Sequence, residues 1–287
     1  MMPSMVSGDA TGSNGAEAAK GRSDAPTAPP SKAPPQTAPP RTASPPRAAI
    51  LLIGNELLSG KVEEQNARYL VRELRELGVV VARIEVIPDD AADVAATARQ
   101  LSERFDVVFS SGGVGPTHDD VTLPAMAAAF GMSMARSPEL EALLRASFGA
   151  RLHERDLRMA DIPDGARLEY GPRGPGSTWP VVVVRNIWVL PGVPEIFRRK
   201  FDSVRELFRT APIFARALYS REGEGPIAAA LDAVVAEFPT VEIGSYPHLG
   251  APDYKVKITL DGRESAVVDA ALGSLVVRLG AAVVRTE

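Results

Sequence analysis

Two short apolar runs, each followed by a glycine turn, most constrain how this chain can fold. Residues 48–53 end at Gly54. Residues 105–109 lead into the string SSGGVGPTHDD at 110–120. A continuous apolar run of this length is typical of a strand that is covered on both faces, as in a parallel sheet. Helical patterns separate the runs, so the order strand, helix, strand, helix predicts an α/β fold with a mainly parallel sheet.

The boundaries of the elements follow from apolar spacing and from turn residues. Gly78 is placed to end one helix, and Ser137 with Pro138 to begin another. The segment 151–180 has no regular pattern, and strand character returns in VVVVRNIWVL. We expect strands at 48–53, 79–87 and 106–111, and helices at 65–77, 91–104, 121–130, 137–149 and 195–208.

The chain divides into three parts by composition and rhythm. Residues 1–47 are rich in Pro, Ala and Ser and contain no aromatic residue, so they cannot bury enough apolar surface to offset the entropy of ordering. We interpret them as a disordered tail, the alternative being a Pro-rich ligand for a partner's aromatic groove. Residues 48–210 form the α/β domain. In 211–287 the order βαββαβ predicts a small α+β, ferredoxin-like domain.

The composition argues against several classes of protein. The net charge of −4 is opposite to that of a typical nucleic-acid-binding protein, and the absence of cysteine excludes disulfides and thiolate chemistry. No apolar run approaches the roughly 20 residues of a membrane-spanning helix, and the N-terminus has no signal-peptide core. We therefore expect a cytoplasmic protein whose partners are small molecules, not nucleic acids or membranes.

Three turns follow predicted strands. They contain Asn55 and Glu56, the stretch 112–120 (the glycine turn), and the string PGVP at 191–194. In an open α/β sheet, ligands bind beyond the carboxyl ends of the strands, so we expect the three turns to form one site. The small residues of the glycine turn leave its backbone open to a phosphate, and paired carboxylates at the helix entrance suit a cation. This combination suggests a nucleotide or pterin site.

The glycine turn does not match two common phosphate-binding motifs. No Gly-Lys-Ser/Thr follows it, as in a Walker A loop, and its glycines lack the spacing of the dinucleotide fingerprint. Longer strings are more specific. GGVGPTHDD, with IGNELLSG upstream and LPGVP downstream, resembles the MoaB/Mog-like molybdopterin-binding domain family. Within that family, the chain is most similar to the N-terminal domain of eukaryotic-type FAD synthases and to CinA proteins.

This resemblance implies a three-layer α/β/α sandwich with a pterin or adenine-nucleotide site at the glycine turn. Members of the family adenylylate molybdopterin, hydrolyse ADP-ribose or FAD, or have no established activity. Many are oligomeric, so we expect a homo-oligomer. The sequence ends after the small domain, and we therefore do not expect FAD synthesis or amide hydrolysis.

Residues of the turns have both a functional and a structural interpretation. Gly112, Gly113 and Gly115 allow amide N–H groups and a helix N-terminus to meet a phosphate, and the alternative is a tight turn without ligand. Thr117 is placed to donate to a phosphate or to cap the helix. The other candidates for contact with the cofactor or its phosphates are Pro116, Asn55, Asn66, Asp89, Gly192, His118 and Arg173.

Asp119 and Asp120 are the candidate metal ligands and catalytic carboxylates. They would repel a pyrophosphate unless a cation lay between, and Mg²⁺ typically uses one or two carboxylates plus phosphate oxygens. Such a metal, Mg²⁺, Mn²⁺ or Co²⁺, would also activate water. The alternative is that one of them caps the helix and complements its dipole. We expect one of the two to be structural and favour Asp120 as the ligand. Glu56 is the third catalytic candidate, as a base or a ribose contact, with a helix-start carboxylate as the alternative.

Three functions are consistent with these residues. The first is a metal-dependent pyrophosphatase that cleaves FAD or ADP-ribose-like dinucleotides. The second is a molybdopterin- or nucleotide-binding module without activity, or a related adenylyltransferase of molybdenum cofactor biosynthesis. The third is an interaction protein whose Pro-rich tail recruits a partner.

Overall fold

The computed structural model describes residues 45–172, 174–175, 179–250 and 253–287. Nearly all of the predicted tail lies outside the described residues, and so does Arg173. The first strand, β1, spans Arg47–Ile53 and follows directly after two prolines.

Strands and helices alternate through the first part of the chain, as predicted. In chain order the elements after β1 are α1 Asn55–Leu58, α2 Asn66–Glu76, β2 Val80–Ile87, α3 Ala91–Arg104, β3 Val107–Ser111, α4 Thr122–Ala129, β4 Met134–Arg136, α5 Pro138–Phe148, β5 Asp161–Pro163, β6 Arg167–Glu169, β7 Val181–Val184, β8 Ile187–Leu190 and α6 Pro194–Val204. Short 3-10 helices lie at Gly149–Arg151, Glu154–Ala160 and Arg205–Phe208.

The main sheet has the strand order β2-β1-β3-β8-β7-β6 in the described part of the chain. β1 pairs in parallel with β2 and β3, and β3 pairs in parallel with β8. β7 and β8 form an antiparallel hairpin that turns at Arg185 and Asn186, and β6 pairs antiparallel with β7. The parallel centre with helices around it confirms the predicted α/β class.

Side chains of β1 alternate between two apolar cores, which explains the continuous apolar run. Ala49 and the odd-numbered positions after it contact α3, α4 and α5, whereas Ile50 and the other even-numbered positions contact α2 and α6. Residues 48–53 are all at most 2% exposed. Because both faces of the strand are covered by helices, the sheet is the middle of three layers.

Helix α5 has the N-terminal cap that the sequence predicts. Ser137 precedes Pro138, and its Oγ accepts a hydrogen bond from the Leu140 amide at 3.3 Å. Ser137→Ala should therefore lower the free energy of unfolding by about 1 kcal/mol, measured by urea denaturation. The control is Ser147→Ala at an exposed position near the other end of the helix, where alanine should not destabilise. Equal losses in the two variants would contradict the capping role.

The C-terminal part of the chain is a separate two-layer unit. Its elements are β9 Phe214–Ser220, α7 Glu224–Glu237, β10 Glu242–Pro247, β11 Val256–Gly262, α8 Ser265–Leu279 and β12 Val283–Thr286. The sheet order is β10-β11-β9-β12, with antiparallel neighbours. Apolar residues of α7 and α8 pack against Leu218, Ile258 and Leu260 of this sheet. The βαββαβ order and this strand arrangement confirm the predicted ferredoxin-like domain.

One segment of the small domain is long and apolar enough to cross a membrane, judged by length and composition alone. This segment, Ser265–Ala282, is 18 residues long and has a mean hydropathy of 1.5. It was not identified from the sequence as a membrane-spanning candidate. The buried share is 17%, and the buried side chains are Val268, Ala271 and Leu275, which pack into the core of the small domain. A single helix of this kind is weak evidence for a membrane span.

Three short strands are not predicted by the sequence. β4 pairs with β5 in a separate antiparallel ribbon, and β6 extends the main sheet. Each of these strands has three residues, which is too short to show an alternation of apolar and polar residues. The residues of β4 are also all exposed. The helix predicted at 195–208 is shorter in the structure. The α-helix α6 ends at Val204, and a 3-10 helix follows at Arg205–Phe208.

Candidate functional site

The carboxyl ends of β1, β3 and β8 open onto one cavity of about 1030 Å³. β1 is paired with β3, and β3 with β8, so the turns that follow these strands are neighbours. The cavity is lined by Glu56 from the first turn, by residues 112–115 of the glycine turn, and by residues 191–194 of the third turn. The structure therefore brings together the three turns that the sequence assigns to one site.

Gly112 and Gly113 give the glycine turn a backbone that other residues avoid. Their φ angles are 105° and 64°. A Cβ at Gly112 would collide with the carbonyl oxygen of Ile53, and a Cβ at Gly113 with Oγ1 of Thr122. Buried Thr122 also donates from Oγ1 to the Gly112 carbonyl at 2.9 Å. The glycines are thus required by the turn itself, and they also leave the cavity side of the backbone open.

Asp119 and Asp120 converge on one hydroxyl group. Thr117 Oγ1 lies 2.6 Å from Asp119 Oδ1 and also within hydrogen-bond distance of Asp120 Oδ2. A hydroxyl has one proton to donate, so it satisfies one carboxylate at a time. Because both carboxylates line the cavity, two anionic oxygens meet there around a single neutral group. A cation would stabilise this arrangement.

The two aspartates have different surroundings. Asp120 Oδ2 accepts a second hydrogen bond, from the Thr117 amide at 2.7 Å, and so closes the turn. The side chain of Asp119 is 59% exposed, and the hydrogen bond from Thr117 holds its pKa below the usual range. His118 is almost fully exposed beside it, with Nδ1 at 3.9 Å from Asp119 Oδ1. Which aspartate is the metal ligand stays a prediction.

The alternative interpretation of these residues as helix caps was wrong. The N-cap position of α4 is Val121, and no side chain forms a capping hydrogen bond there. Thr117 and Asp120 instead hydrogen-bond to each other within the glycine turn. At the start of α4 the Thr122 amide donates to the Gly113 carbonyl and the Ala125 amide to the Val121 carbonyl, and Pro124 has no N–H group.

The aspartates after β2 anchor two helix starts. The Asn55 amide donates to Asp89 Oδ2 at 2.8 Å, so Asp89 holds the first turn of α1. Asp90 accepts from two amides in the first turn of α3 and is its N-cap. Asp89 and Glu56 both line the cavity. Asp90 therefore has a local structural role, whereas Asp89 links the first turn to the cavity wall.

Asn66 joins two of the turns from behind the cavity. It is 5% exposed at the start of α2, and its Nδ2 donates to Ser111 Oγ at 2.9 Å and to the Gly192 carbonyl at 2.8 Å. Ser111 ends β3, and Gly192 belongs to the third turn. The side chain of Asn66 therefore fixes the spacing between the glycine turn and the third turn.

Asn66→Ala should lower the free energy of unfolding by about 2 kcal/mol, because two hydrogen bonds are lost and their acceptors stay unpaired. Urea denaturation measures the difference. Gln65→Ala, at the exposed position immediately before, should change stability by about 0.5 kcal/mol or less. A loss of the same small size at Asn66 would show that the two turns keep their spacing without it.

Most of the predicted site residues lie on the cavity wall. Those that line it are Glu56, Asp89, Gly112, Gly113, Gly115, Asp119, Asp120 and Gly192. Five other described candidates are not part of the wall, namely Asn55, Asn66, Pro116, Thr117 and His118. Within the described ranges, no group of three or more His, Asp or Glu side chains is arranged to hold a metal. A cation at Asp119 and Asp120 would therefore need further oxygen ligands from a bound phosphate or from water.

The sequence does not reveal the apolar side of the cavity. Its wall includes Leu140, Leu144, Phe148, Met159, Trp179 and Ile196. The leucines of α5 recur at helical spacing, which equally describes an ordinary core face. The one available signal is Trp179, an aromatic residue at the end of an irregular segment. Two cations, Arg199 and Lys200, also line the cavity and were not predicted.

Known proteins share this architecture. The crystal structure of the protein CinA with unknown function from Thermoplasma acidophilum matches with a TM-score of 0.51 and 30% sequence identity, over 57% of this chain and 98% of that chain. A CinA-like protein from Frankia casuarinae is 31% identical over 246 residues, which cover 77% of this chain and 55% of that protein.

A probable FAD synthase from Caenorhabditis elegans is 34% identical over 255 residues. The match covers 79% of this chain but 49% of that protein, so the chain spans about half the length of this relative. The family described as FAD synthase, middle domain, matches residues 212–287. The family described as probable molybdopterin binding domain matches residues 49–210, more than half of the 287 residues. With the fold and the glycine turn in agreement, this chain belongs to the molybdopterin-binding domain family.

Proposed function

We propose that the chain is a metal-dependent nucleotide pyrophosphatase, which cleaves FAD or an ADP-ribose-like dinucleotide into mononucleotides. The observation that carries the proposal is the wall shared by the glycine turn and the carboxylate pair Asp119 and Asp120. A bound pyrophosphate is stabilised by N–H donors and by a cation. This wall combines the open backbone of the glycine turn with two carboxylates that would bind the cation. The relatives named FAD synthase support a dinucleotide that contains a flavin.

The glycine turn would bind the phosphates. Gly112 and Gly113 present backbone without side chains, and the N-terminus of α4 follows directly with its partial positive charge. Gly115 lies close to Asp120, where a Cβ would approach Oδ2 at 2.7 Å. A side chain at that position would therefore disturb the carboxylate as well as the phosphate.

The oxygens of Asp119 and Asp120 fit a hard divalent cation such as Mg²⁺, Mn²⁺ or Co²⁺. When bound, such a cation neutralises pyrophosphate charge and lowers the pKa of a bound water. Thr117 orients the two carboxylates through its hydroxyl and amide groups. The role of Thr117 is then to position the ligands, and its own contact with a phosphate is not required.

The reaction would be a hydrolysis. Water attacks one phosphorus of the pyrophosphate, and the bond from that phosphorus to the bridging oxygen breaks, so that FAD gives FMN and AMP. Glu56 on α1 lines the same cavity and is the group we propose to accept the proton of the attacking water. Asp89 positions α1 through the Asn55 amide.

A screen of dinucleotides against metals tests this function. The purified full chain is incubated with FAD or ADP-ribose and with Mg²⁺, Mn²⁺ or Co²⁺, and the release of FMN or AMP is followed by chromatography. We expect metal-dependent release that EDTA abolishes. Failure to turn over either dinucleotide with any of the three metals would remove the pyrophosphatase from consideration.

The second candidate is a molybdopterin- or nucleotide-binding module without hydrolytic activity. It is favoured by the family match and by the described residues, which include no metal-binding group of three acidic or histidine side chains. Such a module would bind FAD or a pterin in calorimetry and leave it intact. Transfer of AMP from ATP to a pterin phosphate would instead identify an adenylyltransferase.

A further inference from the structure

Lys200 is a cation of the cavity lining that lies outside the three turns. It lies on α6, six residues after Pro194, which belongs to the third turn. At a rise of about 1.5 Å per residue, Lys200 is about 9 Å along the helix axis from that turn. A ligand whose phosphates occupy the turns would therefore reach Lys200 with a different part of its structure.

The protein compensates this ammonium group poorly. Lys200 Nζ donates to the Pro180 carbonyl at 2.7 Å. Within the described parts of the chain it forms no ion pair, and burial alone lowers its pKa to about 8. An ammonium group has three protons to donate, so two remain for a ligand. Burying a charge without a partner is unfavourable, and an acceptor oxygen from a ligand would relieve that cost.

The surroundings of Lys200 suit a flat ring. Trp179 is adjacent in sequence to Pro180, whose carbonyl holds Lys200, and both line the cavity. Val182, Val189 and Ile196 add apolar surface elsewhere in the cavity lining. Aromatic rings of ligands stack favourably on tryptophan, and their edges then extend beyond the indole.

We propose that Lys200 is a specificity-determining contact for the ring of the ligand, donating to a carbonyl oxygen at the edge of a heteroaromatic ring that lies against Trp179. The inference rests on the proposed nucleotide site and adds the class of ring. Flavins and pterins share a ring edge with carbonyl oxygens. Adenine has ring nitrogens as acceptors but no carbonyl oxygen, and its exocyclic amino group is a donor that would oppose the ammonium group. Because Lys200 has donors and no acceptor, it favours the carbonyl-bearing rings.

The test compares two monophosphates that differ in the ring, and adds a pterin without a phosphate. Binding of FMN and of AMP to the full chain is measured by calorimetry, with 6-carboxypterin as a second carbonyl-bearing ring. Lys200→Met should weaken binding of FMN or the pterin by about tenfold or more, since a hydrogen bond to a charged group is lost. Its binding of AMP should change less than about twofold.

Arg199→Met is the matched control, because it removes the same charge from an exposed position one residue earlier on the cavity wall. It should affect FMN and AMP by similar factors, as expected of general attraction to phosphate. Thermal unfolding of Lys200→Met should occur at no lower temperature than for the unaltered chain, since the substitution removes a poorly compensated charge.

Two results would overturn the assignment to Lys200. One is an equal loss of FMN and AMP binding in Lys200→Met, or no loss, because the lysine would then not read the ring. The other is an unaltered chain that binds neither the flavin nor the pterin. The pyrophosphatase proposal fails separately, when FMN binds in a Lys200-dependent manner and FAD is not cleaved.

Discussion

Asp119→Asn and Asp120→Asn together should reduce the rate of FMN release from FAD by about 100-fold or more. Asparagine keeps the size of each side chain but removes the negative charge, so a cation at this proposed site would lose both anionic ligands. The loss corresponds to about 2.7 kcal/mol of transition-state stabilisation. The measurement is kcat/KM for FAD at several concentrations of Mg²⁺, Mn²⁺ and Co²⁺.

Asp232→Asn is the control for the double variant, since Asp232 is an exposed carboxylate on α7 of the small domain. It should retain the activity of the unaltered chain. If the double variant kept more than a third of that activity, the carboxylate pair would not be the cation site. Each single variant then shows whether Asp119, with the more exposed carboxylate, or Asp120 carries the larger share.

Gly112→Ala should abolish phosphate binding and lower the free energy of unfolding by about 3 kcal/mol. The φ angle of 105° is unfavourable for alanine, and the added Cβ would collide with the Ile53 carbonyl at the end of β1. Because β1 is paired on both sides, with β2 and β3, and covered on both faces, it cannot move away without disturbing both cores. Urea denaturation and calorimetry with AMP measure the two effects.

Gly165→Ala separates backbone strain from the collision. Gly165 also has a positive φ angle, 82°, but a Cβ there meets nothing within 4 Å. The control should therefore lose only about 1 kcal/mol and bind AMP normally. Similar losses at both positions would mean that the close approach to Ile53 is not what requires glycine at 112.

The class of fold was predictable because a strand that is buried on both faces is a continuous run of apolar residues. β1 and β3 carry no polar alternation, so their residues identify a sheet between helix layers. Strand β4 is exposed and has no apolar run. It forms because β5 lies opposite it and pairs with it. Pairing between distant segments is a property of the folded chain, and periodicity within one segment does not contain it.

The candidate site was predictable to a similar extent. The turns that follow neighbouring parallel strands lie at the same edge of the sheet, so the order of elements alone predicts that Glu56, Gly112 and Gly192 are close together. The apolar wall was not predictable, because Leu140 and Leu144 resemble core residues in sequence. Asn66 shows the opposite case, since a polar residue predicted to contact the ligand lies behind the cavity and links two turns.

The close approach of Gly112 to Ile53 has a consequence for how such proteins diversify. At Gly112 the cavity is bounded by backbone, so almost any side chain introduced there would disrupt the sheet. Elsewhere the cavity is lined by side chains, among them Phe148, Trp179 and Lys200, whose replacement would not meet a neighbouring strand in this way. Mutational freedom is therefore concentrated where the ring of a ligand would lie. A lineage that keeps the glycine turn can acquire a new ligand preference without rebuilding the fold.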